Sequence, residues 1–197
     1  MAVKTAKANE QVETIEIPAL HIKEVEVTLV GDSPLIVHRW SDKAKRQILD
    51  KQMKRAKQGK AAKDPEQEYK DSLYTLPDGS YGFPAVGVKA AAVSACAQID
   101  GVFKTQARAA FHINGEFVKI DGTPEMREDM VRISIGVADI RCRAEFKQWR
   151  MTFKVRFNAN VISAEQLLNL FNTAGFGVGL GEWRPEKDGA FGLFHVE

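Results

Sequence analysis

A glycine-rich stretch near the C-terminus carries the residues whose spacing most directly indicates contact with a ligand. It runs Gly175-Phe176-Gly177-Val178-Gly179-Leu180-Gly181-Glu182-Trp183-Arg184-Pro185. Alternating glycines let a backbone approach a ligand closely, and the exposed amides of such a loop can bind phosphates. An indole offers a stacking surface, and a guanidinium offers a partner for a phosphate or a base. The predicted contacts in this stretch are Gly177, Gly179, Gly181, Trp183 and Arg184.

The same stretch matches neither of two common nucleotide-cofactor motifs. It lacks the Gly-Lys-Ser/Thr ending of a P-loop, and no strand opens directly into it as a dinucleotide fingerprint requires. We therefore expect no cofactor. The alternative interpretation is structural: the glycines form a turn that packs against the sheet, with Trp183 partly in the core, because glycine's steric permissiveness serves both uses.

A basic segment covers residues 39–63. Ten of these 25 residues are Lys or Arg, and only Asp42 and Asp50 oppose them. Clustered positive charge favours salt-dependent contact with a phosphate backbone. A solvated helix face, or contact with an acidic surface of a neighbouring subunit, are the alternatives. The predicted contacts in this segment are Arg39, Lys43 and Arg46.

Residues 149–158 give the clearest strand pattern, with apolar and polar side chains in strict alternation. Its polar face carries Arg150, Lys154 and Arg156, which predicts a track for phosphates; an ordinary hydrated sheet face is the alternative. Three further cations join the predicted interface because they accompany small or aromatic residues. They are Lys89, Lys104 and Arg108.

The histidines and cysteines give little support for catalysis or metal binding. None of His21, His38, His112 and His195 belongs to a metal-binding motif, and no Gly-x-Ser-x-Gly elbow is present. Cys96 and Cys142 lack metal-ligand spacing, and a disulfide between them is left open. His38 is the one candidate for general acid–base cleavage of RNA. We expect a protein without catalytic or metal-binding residues.

Composition places the chain among ordinary globular proteins. Of its 197 residues 44% are hydrophobic and 27% charged, and the net charge is only +2, so nucleic-acid binding requires localised positive charge. The first ten residues lack the apolar core of a signal peptide, and no window is apolar enough to span a bilayer. We therefore expect a cytoplasmic protein without a membrane partner.

The chain pattern predicts an α+β fold after a flexible tail at residues 1–17. Expected strands cover residues 22–29, 131–135, 138–144, 149–158 and 191–196; expected helices cover 41–58, 85–98 and 164–173; expected hairpins cover 72–83 and 111–118. Ser163 and Gln166 form a capping-box pattern at the last helix, which Gly175 is expected to end. This order is compatible with a ferredoxin-like or RNA-recognition-type antiparallel sheet with helices on one face.

Three separated stretches resemble the RAMP superfamily of CRISPR-associated RNA-binding proteins, in particular its crRNA-coating backbone subunits. They are the helix, glycine-rich loop and strand of residues 175–194, the Pro-containing segment of residues 81–90, and the strand leading into Ser33-Pro34-Leu35. The Gly-Glu-Trp-Arg-Pro segment also resembles that of phage-encoded proteins. The resemblance implies a single domain over residues 18–197, a protruding insertion at about residues 100–132, and polymerisation along a single strand.

Together these features predict non-catalytic, sequence-tolerant binding of single-stranded RNA or DNA. The expected partners are that strand and further copies of the chain in a filament or ring, in the host cytoplasm if the protein is viral. The alternative is a phage structural or anti-defence protein that uses the same fold against a protein partner.

Overall fold

Ten strands and five α-helices make up the part of the chain that the computed structural model describes, residues 17–55 and 62–197. In chain order they are β1 (Ile22–Gly31), β2 (Leu35–Val37), α1 (Asp42–Gln52), α2 (Pro65–Ser72), β3 (Tyr74–Thr75), β4 (Tyr81–Pro84), α3 (Ala85–Ala95), α4 (Lys104–Ala110), β5 (Phe111–Ile113), β6 (Phe117–Ile120), β7 (Pro124–Ser134), β8 (Val137–Phe146), β9 (Arg150–Asn158), α5 (Ala164–Gly177) and β10 (Phe194–Val196).

The central sheet has the order β10-β1-β9-β5, with every neighbouring pair antiparallel. With α3 between β1 and β5, and α5 between β9 and β10, the core follows the path β-α-β-β-α-β. Numbered along that path, the strand order is 4-1-3-2, which is the ferredoxin-like arrangement. The predicted α+β, ferredoxin-like fold is therefore confirmed.

The core forms where the apolar face of this sheet meets α5. Along β9 the side chains alternate between exposed and buried, as the sequence pattern predicts. Phe171 of α5 packs edge-to-face against Phe153 at 5.8 Å and against Phe111 at 5.9 Å between ring centroids. Such pairs add about 0.5–1.5 kcal/mol beyond their buried area. They fix α5, and therefore the loop that follows it, against the sheet.

Two smaller sheets flank the central one. The first has the order β2-β8-β7 and contains the long β7–β8 hairpin; the second has the order β3-β4-β6. Helix α2 lies against β8, where the Ala144 amide donates to Ser72 Oγ at 2.9 Å. Strand β2 of the first small sheet precedes α1, and strand β4 of the second precedes α3. The two small sheets therefore adjoin the surface around those helices.

Local signals are confirmed where their partners are close in the chain. The capping box of Ser163 and Gln166 is present, and β3 pairs with β4 in the predicted hairpin. The predicted hairpin over residues 111–118 is wrong. Gly115 does turn the chain at φ +87°, but β5 pairs with β9 while β6 pairs with β4, because the two strands belong to different sheets.

Helix α5 continues through Gly175, which the sequence pattern takes as its end, and stops at Gly177. A Cβ at Gly175 would lie 1.8 Å from the Phe194 carbonyl oxygen. The glycine therefore serves the close approach of β10 to the helix, and does not end the helix. The final strand, β10, covers only Phe194–Val196 of the predicted range 191–196.

The structure divides the residues expected to form an insertion. Within the range 100–132, β5 belongs to the central sheet, whereas β6, β7 and β8 (residues 117–146) are the elements added between β5 and β9. The predicted N-terminal tail lies outside the described residues except for Ile17. The first basic helix is shorter than predicted, and residues 56–61 of the basic segment also lie outside the described part.

Candidate functional site

A cavity of about 360 Å³, which we call the loop cavity, lies between α3 and the glycine-rich loop. Aromatic side chains line one part of it, and ionisable side chains line another. Those that matter below are His38, Tyr74, Phe83, Glu182, Arg184 and Glu186. The segment after β2, the β3–β4 hairpin with the adjoining α3, and the loop after α5 are therefore three distant parts of the chain that meet at this cavity.

The glycine-rich loop uses its backbone amides inside the fold. The Gly179 amide donates to the Ala174 carbonyl at 2.8 Å, and the Leu180 amide donates to the Gly192 carbonyl at 2.9 Å. The Glu182 amide donates to the Ile36 carbonyl, also at 2.9 Å. The Gly179 amide is therefore not free, and the loop is anchored to β2. Contact of this loop with phosphates stays a prediction.

The remaining predicted glycines also have structural reasons. Gly177 lies within α5, and a Cβ there would lie 2.1 Å from Gln98 Oε1. Gly181 has φ +75°, and a Cβ there would lie 2.2 Å from the Ile36 carbonyl oxygen. A Cβ at Gly181 would meet the backbone of β2, so this glycine positions the wall of the loop cavity, whereas Gly177 lies outside the cavity lining.

Trp183 and Arg184 follow in the same loop with different roles. Trp183 adopts φ +54° and is 40% exposed, so the turn presents its indole at the surface. Arg184 donates to the Gly181 carbonyl at 3.0 Å and pairs with Glu186 at 2.8 Å. The guanidinium therefore braces the loop while it lines the cavity.

His38 and Glu182 form the central polar pair of the cavity. His38 Nδ1 lies 3.2 Å from Glu182 Oε1. This hydrogen bond lowers the pKa of Glu182 from its usual 4.5, against the opposing effect of burial, and the charges of Arg143 and Arg184 act in the same direction. Glu182 is thus a carboxylate at neutral pH, and it can only accept hydrogen bonds.

A second cavity of about 330 Å³ shares His38 with the first. It is lined by Arg39, Trp40, Lys63 and Arg141 together with acidic side chains of α2, and Trp40 is 61% exposed. We call the two cavities together the His38 groove. Aromatic side chains line both cavities of the groove, and each cavity also has cations and carboxylates in its lining.

Helix α1 borders this groove, since Ser41 and Gln47 line the second cavity. Arg39 pairs with Asp42 at 3.0 Å, and Lys45 also reaches Asp42 at 3.3 Å. Arg46 and Lys51 are exposed, and neither has an ion-pair partner within residues 17–55 and 62–197. The side chain of Lys43 lies outside the described part. The basic segment thus keeps unpaired positive charge beside the groove.

The polar face of β9 is less basic than its own sequence indicates. Arg150 pairs with Glu197 at 2.8 Å, and Lys154 lies 3.6 Å from Glu24 on β1. Arg156 stands directly across from Glu24 in the strand register. The structure therefore places the three predicted cations on one face, as expected, but among carboxylates of the neighbouring chain segments.

The other predicted cations lie near α4, away from the groove. Lys89 donates to the Arg108 carbonyl at 2.8 Å and lies 5.5 Å from the Phe111 ring centroid. Burial lowers the pKa of Lys89. This side chain ties α3 to the end of α4, while Lys104 and Arg108 are exposed on α4. None of these three cations lines the two cavities that share His38.

Sequence reasoning missed Glu182, Tyr74 and Phe83 as site residues. Glu182 stood inside the highlighted loop, but its partner His38 lies 144 positions away. Only the docking of the loop on β2 brings the two together. The available signal was limited to an acidic residue between Gly181 and Trp183, which by itself indicates no partner.

The described residues hold neither a candidate metal centre nor a membrane-spanning helix. No group of three or more His, Cys, Asp or Glu side chains in residues 17–55 and 62–197 could hold a metal ion. In the same ranges, no helix has both the length and the hydropathy to cross a membrane. Cys96 and Cys142 are both free and buried.

No protein-family model matches the chain, and no curated protein matches it in sequence, but solved structures match it in fold. A chain of the cryo-EM structure of the Type III-B Cmr-beta bound to cognate target RNA matches with 9% identity and a TM-score of 0.48. The match covers 89% of this chain but only 59% of that one. A likeness at this level assigns no function.

Proposed function

We propose that the protein binds a single strand of nucleic acid, with bases in the His38 groove and phosphates against α1. The observation that carries this proposal is the aromatic lining of a groove that lies beside unpaired cations. Trp40, Tyr74 and Phe83 line the cavities, while Arg46 and Lys51 stand on the bordering helix. Stacking rings with a flanking positive surface are the usual means of binding unpaired strands.

The mixed charge of the groove supports this orientation of the strand. Carboxylates such as Glu182, Glu186 and Asp71 line it, and they would repel phosphate groups. Uncharged bases meet no such repulsion, and their ring faces can stack on aromatic side chains. The bases of a duplex are paired and stacked, so a single strand fits this groove better.

We propose that the protein binds either RNA or DNA and does not cleave it. Copies of the chain would also associate with one another along the bound strand. The distal β7–β8 hairpin exposes apolar side chains: Met130 is 77% exposed, and Ile135 at the turn is 100% exposed. Exposed apolar residues clustered on one element favour contact with another protein surface. We propose that this surface meets a further copy of the chain.

The ferredoxin-like core agrees with the resemblance to the RAMP superfamily, and we propose membership of that superfamily. The exposed hairpin also supports the alternative of an interaction protein that binds another protein. The two functions differ in one measurement. If the protein assembles along a strand, its sedimentation coefficient should rise when an oligonucleotide is added. If it binds another protein instead, the sedimentation coefficient should not change.

The direct test of the proposed groove is the Trp40→Ala variant. Loss of one stacking ring costs about 1–3 kcal/mol, so affinity for a fluorescent single strand should fall roughly 5- to 150-fold in an anisotropy titration. Phe176→Ala is the matched control, since Phe176 is exposed and lines neither cavity of the groove. Equal affinity of the two variants would contradict binding in the groove.

A further inference from the structure

We infer that the loop cavity holds one unstacked nucleobase and that Glu182 selects a base with N–H donors on its Watson–Crick edge. This inference rests on the proposed function and names a preference within it. A sequence-tolerant protein would bind most strands, but a base with suitable donors at this position would bind more tightly.

The shape of the loop cavity fits a flat, largely apolar ring. Its volume of about 360 Å³ lies at the lower end of the roughly 300–1,000 Å³ typical of small-ligand sites. Phe83 and Tyr74 provide aromatic surface, and Val86 and Ala90 provide apolar surface on α3. A base taken out of its stack is held in such a pocket by stacking and by hydrogen bonds to its edge.

The two carboxylates that line the cavity differ in their partners. Glu186 Oε2 already accepts from Arg184 Nε and Nη2. Glu182 Oε1 contacts His38 Nδ1, whereas Glu182 Oε2 has no hydrogen-bond partner within residues 17–55 and 62–197. The Glu182 side chain is 42% exposed, so Oε2 is accessible and can accept a ligand N–H in place of solvent.

The chemistry of the bases then sets the order of preference. Guanine carries an exocyclic amine beside a ring N–H, so it offers two donors to a carboxylate. Cytosine and adenine each offer one exocyclic amine, whereas thymine and uracil offer one ring N–H that lies between two carbonyl oxygens. A carboxylate attracts the amines and repels the carbonyl. We therefore expect guanine to bind most tightly and uracil least tightly at this position.

The experiment uses uridine-rich strands that differ at one internal position, which is guanosine, adenosine, cytidine or uridine. Affinity is measured by anisotropy at one salt concentration. A well-placed hydrogen-bonding pair gives about 1–3 kcal/mol of discrimination, so the guanosine strand should bind roughly 5- to 150-fold more tightly than the uridine strand. Glu182→Gln removes the charge and should reduce this ratio strongly.

Two further variants keep the result interpretable. Glu165→Gln is the control, because Glu165 is exposed on the first turn of α5 and lies outside the cavity. Val86→Trp fills the cavity from a position that is 75% exposed, and it leaves the His38–Glu182 contact in place. It should also abolish the preference for guanosine, whether or not Glu182→Gln folds normally.

The outcomes separate the inference from the proposed function. Equal affinity of the wild-type protein for all four strands would overturn the inference and leave groove binding intact. A preference that survives both Glu182→Gln and Val86→Trp would also overturn it. Failure of the wild-type protein to bind any strand would refute the proposed function, and the inference with it.

Discussion

The outer face of β9 and the surface of α1 both look basic in sequence, but the structure distinguishes them. On β9, Lys154 and Arg150 lie beside carboxylates of Glu24 and Glu197. On α1, Arg46 and Lys51 lack ion-pair partners within the described residues. Because paired charges attract a polyanion less strongly, the count of cations along one element does not measure its capacity to bind phosphate.

The two surfaces also differ in their surroundings. The exposed side chains of β9 alternate with its buried core residues on a regular sheet. Helix α1 borders a concave groove that contains aromatic rings. A strand bound at α1 can therefore make both phosphate contacts and stacking contacts, whereas β9 offers charge alone. This contrast is why we place the proposed interface at the groove.

The largest expected effect comes from the support of the groove wall, at Gly181. Gly181→Ala adds a Cβ 2.2 Å from the Ile36 carbonyl at a residue with φ +75°, so we expect a loss of about 3 kcal/mol or more in unfolding free energy. Chemical denaturation measures it. Gly79→Ala is the control, because Gly79 has φ +81° with nothing near its Cβ, and strain alone costs about 1 kcal/mol.

If both glycine variants lost the same stability, the close contact with β2 would not hold the loop. The loop that forms one wall of the groove would then be weakly held. The groove would differ from the outer face of β9 in how firmly it is held as well as in its charges. The folded molecules of the Gly181→Ala variant should also bind a single strand more weakly, because the displaced loop carries Glu182 and Arg184.

The next effect compares the two basic surfaces with equal numbers of charges removed. Arg46→Ala/Lys51→Ala should reduce single-strand affinity about tenfold and lower the slope of log affinity against log salt by roughly 1–2. Lys154→Ala/Arg156→Ala should change affinity less than about threefold, because Glu24 already offsets that charge. Anisotropy titrations at several salt concentrations measure both.

The reverse result, a larger loss from the β9 pair, would move the interface to the central sheet. It would restore the interpretation that sequence alone favours, in which the polar face of β9 carries the phosphates. Unchanged folding of both double variants, checked by circular dichroism, is needed for the comparison to hold.

Sequence predicts the parts of this fold that depend on neighbours along the chain. The alternation in β9, the capping box at Ser163 and the turn between β3 and β4 are all local signals, and each is found as predicted. The order of the ferredoxin-like elements follows from them. The pairing of β1 with β9 and β10 joins distant parts of the chain, and no local signal indicates it.

The features that sequence does not predict depend on distant partners. Asn114 and Gly115 have the residue types of a two-residue hairpin turn, but the adjoining strands find better-placed partners in two different sheets. Gly175 has the type of a helix end, yet it is needed for the approach of β10. The pairing of Lys154 with Glu24, and of His38 with Glu182, likewise exists only after the sheets assemble.

The smallest effect concerns the pH dependence of stability at the groove. The pKa of Glu182 is lowered in the folded protein, chiefly by the hydrogen bond from His38, with Arg143 and Arg184 contributing. A lowered carboxyl pKa stabilises the folded state above the unfolded value of 4.5, and this contribution is lost as pH falls through the folded pKa. The Glu182→Gln variant lacks it at every pH.

The difference in unfolding free energy between the wild-type protein and Glu182→Gln should therefore be constant near neutral pH and shrink below about pH 4.5. Denaturant titrations across that range measure it, and Glu165→Gln serves again as the exposed control. A difference that stays constant as pH falls would mean that Glu182 is not held as a carboxylate by His38. Glu182 would still be ionised near neutral pH, because its ordinary pKa is 4.5. The loop cavity would then keep its acceptor but lose the His38 contact that orients it, and base selection would depend more on the shape of the cavity.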